Sequence, residues 1–147
     1  MPSIMSDEQN AMTRNLEAAG SNPAPSKKGN RMAAVEMHLD PGPFEKIKQG
    51  KKHIEVRIYD EKRRAVKLGD IIIFIKRPSE TERLKVEVVG LSIFKTFRDL
   101  FANVDKLELG HDANLNIEDQ IKTAEEHYSK EEEKQNGVVG IHIRLIG

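Results

Sequence analysis

The amino-acid sequence predicts an α+β fold, a small mixed or antiparallel β-barrel with short helices packed around it. Three observations carry that expectation. Alternating apolar and polar residues recur in short segments, the pattern of half-buried strands. Helical spacing appears only in brief stretches inserted between those segments, not in regular alternation with them. The chain has 147 residues, 37% of them hydrophobic, which suffices for one domain with a modest core.

Residues 1–31 carry Ser, Asn, Ala, Gly, Pro and Lys with almost no large apolar side chains. Such a segment cannot bury enough surface to offset its ordering entropy, so a disordered leader is expected, with a weak helical pattern at 7–19. It has no apolar core of a secretory signal. The folding domain is expected over 32–147, and Met32 or Met37 could open it.

Within the domain, residues 33–39 alternate and read as a strand. Asp40-Pro41-Gly42-Pro43 is a turn, and Pro43 suits the first turn of a helix. Phe44 and Ile47 then share one face of a short helix stopped by Gly50. Strict alternation follows at once: Ile54, Val56 and Ile58 point one way, and His53, Glu55, Arg57 and Tyr59 the other. The first set reads as the core face and the second as the face turned to water.

A charged connector (60–67) and a Leu68-Gly69-Asp70 turn lead to an apolar strand at 71–75. Leu84, Val86 and Val88 alternate with Lys85 and Glu87 in a further strand that can extend to Phe94. Thr96 with Asp99 forms a variant capping box for a helix at 97–101. Residues 104–116 read as irregular. Within 117–134, Ile117, Ile121, Ala124 and Tyr128 have helical spacing, so a helix is expected at least to Tyr128, with Asn136-Gly137 closing the segment. Val138, Val139, Ile141, Ile143 and Leu145 form the last strand.

Composition excludes several classes of function. No cysteine is present, which removes disulfide scaffolds and thiolate chemistry and fits a reducing, cytoplasmic compartment. No apolar run approaches the roughly 20 residues of a membrane span, so no membrane association is expected. The histidines lack metal-ligand spacing, and neither phosphate-loop nor dinucleotide-binding glycine motifs occur, so no metal and no cofactor are expected. The 24 basic and 24 acidic residues cancel, but unevenly. Residues 45–70 hold nine Lys/Arg against five Asp/Glu; residues 111–136 hold eight Asp/Glu against three Lys. The first excess can present a basic face, and the second can meet a protein partner; solvated surface charge accounts for both equally well.

The row His53, Glu55, Arg57 and Tyr59, with Lys52 at its mouth, puts an unusual density of chemistry on one strand. It is the candidate site. A charged Lys52 could hold a phosphate or an oxyanion, and a neutral one could act as a general base; the plain alternative is a solvated Lys51-Lys52 pair at a helix end. Glu55 and Arg57 could contact a ligand, or could neutralise each other as a structural pair. Tyr59 could stack on a base or simply pack. A serine without a partnered His or Lys is a weak nucleophile, so Ser129 reads as a ligand contact at most, and Glu131-Glu132-Glu133 reads as a solvated face.

Gly50-Lys51-Lys52-His53-Ile54-Glu55-Val56-Arg57, then Gly69-Asp70, Phe94-Lys95-Thr96-Phe97-Arg98-Asp99-Leu100-Phe101 and Gly137-Val138-Val139-Gly140-Ile141 together resemble the ASCH domain, a member of the PUA-like superfamily. The likeness runs over about 35–145. It implies a barrel with a cleft between strands and helices, and association with RNA or modified nucleosides. It places Lys51, Lys52, Arg57, Tyr59, Tyr128 and Ser129 as ligand-binding candidates in a basic cleft for single-stranded RNA. It also implies an alternative, a hydrolase acting on RNA or on an N4-acylated cytidine, with Lys52 as base and Glu55 as its catalytic partner. The amidohydrolase relatives carry threonine where this chain has Glu55, and a glutamate where it has Ala113-Asn114-Leu115-Asn116, so that mechanism does not transfer intact.

Overall fold

The computed structural model describes residues 34–146; the expected leader and its helical pattern at 7–19 lie outside them. The elements run β1 (Ala34–Leu39), α1 (Pro41–Lys48), β2 (Ile54–Ile58), α2 (Glu61–Arg64), β3 (Ile71–Lys76), β4 (Arg83–Phe94), α3 (Phe97–Asn103), α4 (Ile117–Glu125), α5 (Lys130–Asn136) and β5 (Val138–Leu145). The strands form one mixed, curled sheet in the order β1-β3-β4-β5-β2, a half-barrel with the five described helices around it. The expected α+β class holds; the barrel is open between its two edge strands, β1 and β2.

Both faces of the sheet are covered. Val139, Ile141 and Ile143 of β5 join Met37, Leu39, Phe44, Ile47, Ile72, Phe74, Leu84, Val86 and Val88 in one buried cluster. Ile54 and Ile58 belong to a second cluster on the opposite face, with Phe97, Leu100, Phe101, Leu109 and Val138. Period-2 alternation feeds both clusters from the same strands. In β4 a bulge between Val88 and Gly90 shifts that parity: Val89 is pushed out to solvent and Leu91 continues the row into the first cluster.

Burial on both sides corrects the reading of β2. The alternation is as expected, but the Glu55/Arg57 row does not face water. Glu55 is 6% exposed and Lys52 7%, and Tyr59 packs against the first cluster. His53 alone of that row stays open, 3.6 Å from Glu108.

Two further expectations change. The connector after β2 contains α2, capped by the Asp60 carboxylate, which accepts from the Arg63 amide. The helix expected at least to Tyr128 stops short of it, and the segment holds two helices. α4 ends at Glu125, and Ser129 starts α5 as its N-cap: Ser129 Oγ accepts from the Glu132 amide at 3.1 Å, and Glu132 returns a carboxylate to the Ser129 amide at 2.9 Å. That reciprocal box satisfies amides a continuous helix would have paired internally. Ile117, Ile121, Ala124 and Tyr128 all pack against the second cluster, so the apolar spacing survives a break in the backbone. Gly137 closes α5 at φ +74°, where an added Cβ would lie 2.9 Å from the Phe94 carbonyl.

Candidate functional site

The open seam of the half-barrel is a cleft of about 520 Å³. His38, Leu39 and Asp40 come from the end of β1, and Lys52, Glu55, Val56 and Arg57 from the edge strand β2 and its approach. Phe97 and Phe101 of α3, Gln120, Thr123 and Ala124 of α4, and His111, His127 and Tyr128 from the loops complete the walls. A sheet edge leaves unpaired backbone groups that must be covered or bridged. Here a side chain bridges them: Arg57 Nη2 donates to the His38 carbonyl at 2.8 Å, spanning from β2 to β1.

At the floor lies a charge triad. Arg57 Nε donates to Glu55 Oε2 at 2.6 Å, and Lys52 Nζ lies 3.3 Å from Glu55 Oε1. Burial alone would push the Glu55 carboxyl up, but Lys52 and Arg57 outweigh it and hold it below the usual carboxylate range. Burial likewise opposes the Arg57 charge, and Glu55 more than restores it. Lys52 Nζ also donates to the carbonyls of Ile54 (2.7 Å) and Leu109 (3.1 Å). An ammonium has three N–H bonds, and three acceptors surround this one. All three directions around Lys52 Nζ are thus taken up within the protein.

The turn that delivers Leu109 is set by Gly110. Its φ is +78°, and an added Cβ would stand 3.0 Å from Lys52 Cβ. Lys46 Nζ donates to the Gly110 carbonyl at 2.6 Å and pins the same turn.

An aromatic wall faces the triad. Phe97 stacks on Phe101 at 6.1 Å and on Tyr128 at 5.8 Å, and His111 tilts against Phe101 at 6.1 Å. Burial raises the Tyr128 phenol above its usual range, with Arg57 pulling the other way, so it is a neutral hydroxyl at neutral pH. Arg77 stands at the exposed mouth and makes no side-chain hydrogen bond or ion pair among the described residues.

Of the residues singled out in the sequence, Lys52, Glu55, Arg57 and Tyr128 meet in this cleft. Lys51 is exposed and does not line it. Tyr59 turns away, with the Arg64 guanidinium 4.3 Å over its ring. Ser129 spends its hydroxyl on the α5 cap. Glu133 accepts from the Phe97 amide at 2.8 Å and so caps α3, a departure from the solvated-face reading at that residue, while Glu131 and Glu132 are exposed. Glu118 is paired with Arg98, so part of the acidic 111–136 excess is already spent within the domain. His38, Arg77, His111, Gln120 and His127 were not anticipated, because they come together only through the fold. Among the described residues no group of three or more His, Asp or Glu is placed to hold a metal ion, and no helix is long and apolar enough to cross a membrane.

The model of the ASCH domain matches residues 37–147. The chain belongs to the ASCH domain family. Among solved structures, that of hypothetical protein PH0355 is 39% identical over 78% of this chain and 100% of its own, with a TM-score of 0.68. Protein PF0455 from Pyrococcus furiosus is 36% identical over 78% of this chain and 98% of its own, with a TM-score of 0.59. ASCH from Zymomonas mobilis is 13% identical over 76% of this chain and 66% of its own, and its TM-score of 0.55 marks a shared fold. No curated protein matches the chain. The ASCH motif Gly50-x-Lys52-x-x-Glu55-x-Arg57 thus corresponds to a physical unit: the floor and the bridging arginine of an unclosed barrel.

Proposed function

We propose that this ASCH domain binds single-stranded RNA or a modified nucleotide, taking one base and its phosphate into the seam cleft. The observation that carries the reading is the pairing of an aromatic wall (Phe97, Phe101, Tyr128) with a buried polar floor and a cation at the mouth, Arg77, whose side chain has no partner among the described residues. Bases stack on aromatic side chains, and an exposed arginine contacts phosphate without giving up an internal partner. Lys52 and Arg57 supply positive potential from below rather than free hands, since both are committed to Glu55.

The test is a titration of single-stranded RNA across a salt series. Arg77→Ala is expected to weaken binding and to flatten the salt dependence by roughly 0.7 in log–log slope, one phosphate contact. Lys52→Ala and Arg57→Ala are expected to weaken it further, with circular dichroism run alongside because each strands the Glu55 carboxylate. If the intact protein binds no RNA at low salt, the reading fails.

A second reading, hydrolysis of RNA or of an N4-acylated cytidine, draws on the same floor: a fixed buried ammonium can stabilise an oxyanion forming above it. The three acceptors around Lys52 support an electrostatic role over that of general base in this reading. Incubation with short RNAs and acylated cytidines, with and without magnesium, decides it; no turnover, or turnover that survives Lys52→Met, removes this mechanism.

A further inference from the structure

Gln120 is 3% exposed, a buried amide on the inner face of α4. Its Nε2 lies 3.0 Å from His111 Nδ1. An amide nitrogen can only donate, so Nδ1 is the acceptor and the ring proton sits on Nε2. That Nε2–H has no hydrogen bond to another described residue, and the ring lines the cleft. Burial, then the Lys52 and Lys46 charges, hold His111 down to about 4, so at neutral pH it is an uncharged, directional donor.

Nearby, both Glu55 oxygens are engaged by Arg57 and Lys52, and the guanidinium of Arg57 has five N–H bonds, not all spent on Glu55 and His38. Asp40 and the Gln120 amide oxygen are acceptors elsewhere in the lining, but the buried carboxylate is taken. A ligand atom seated against the His111 Nε2–H must itself be an acceptor. An exocyclic amine would set N–H against N–H, and a buried donor left without an acceptor costs roughly ten-fold in affinity.

We propose that the His111–Gln120 pair makes this cleft selective for nucleobases that present a carbonyl oxygen, as uracil does, over those that present an amine at the same position, as cytosine does. The inference rests on the proposed function, that the cleft takes a base. Free nucleotide and RNA offer the same edge, so both enter the test: uridine and cytidine monophosphates, and short oligouridylate and oligocytidylate of equal length, titrated by calorimetry at one salt concentration.

The uridine forms are expected to bind about ten-fold tighter in at least one of the two arms, as one matched hydrogen bond predicts. His111→Phe keeps a ring against Phe101 and removes the donor, so it is expected to bring the ratio near one by weakening the uridine ligands more than the cytidine ones. Nitrogen-15 NMR of the folded wild-type protein checks the tautomer directly, independent of any variant; a proton on Nδ1 overturns the assignment. Equal binding of uridine and cytidine forms overturns the selectivity and leaves RNA binding intact. A uridine preference that persists in His111→Phe places the discrimination elsewhere and also overturns it. No binding of any ligand sinks the inference together with the function beneath it.

Discussion

Lys52, Glu55 and Arg57 illustrate how little the chemistry of a side chain says before its neighbours are known. In sequence they are two cations and an acid near the surface of a strand. In the fold they are a closed triad in which Lys52 and Arg57 hold the Glu55 carboxyl below its usual range. His111 is the group set against its own charge, and this has a consequence for stability. Its folded value of about 4 lies below the ordinary 6.5, so between those values the unfolded chain takes up a proton that the folded chain refuses. Stability is therefore expected to fall as pH drops from about 6.5 to about 4. Glu55 is also lowered, from 4.5, so its contribution is present above that value and disappears only as pH falls through its folded value. Urea melts across pH check this: His111→Gln, which keeps a neutral amide beside Gln120, is expected to flatten the upper window and leave the acid limb intact.

At the level of elements, the break between α4 and α5 separates two roles that a continuous helix would merge. Tyr128 is carried into the cleft by the end of one element, and Ser129 begins the next. Ser129→Ala is expected to cost about 1 kcal/mol, the usual worth of an N-cap, measured by urea denaturation. RNA affinity is expected to stay unchanged, because the hydroxyl serves the Glu132 amide and not the cleft. A loss of affinity without a loss of stability would instead return Ser129 to the ligand. The expectation of a helix through Tyr128 rested on apolar spacing and not on Ser129-x-x-Glu132; that apolar spacing tracks the second cluster and not the backbone hydrogen bonds.

For the whole molecule, the decisive feature is that the sheet does not close. β1 and β2 are both edges, and Arg57 ties one to the other with two hydrogen bonds, to Glu55 on its own strand and to the His38 carbonyl across the gap. Lysine has a single nitrogen and cannot hold this planar fork. Arg57→Lys is accordingly expected to retain the Glu55 pairing and loosen the seam. Native-state hydrogen exchange reads this out as faster exchange in β1 and β2, with the β3-β4-β5 centre unaffected; uniform acceleration throughout would mean that the bridge stabilises the whole fold and not the seam.

The sequence by itself determined the fold class, the positions of all five strands, the Thr96 cap and the turn glycines Gly50, Gly69 and Gly137 (though not Gly110), because these follow from local rules: period-2 burial, capping chemistry and positive φ. It also marked Lys52, Glu55 and Arg57, through their spacing on one strand. What it did not give was the enclosure of that strand's polar row, or what meets it. Those depend on where the barrel stays open and on residues such as His111, Gln120 and Arg77, far away along the chain and unremarkable in their local settings. A cleft is a property of unmatched edges, and only tertiary packing decides which edges remain unmatched.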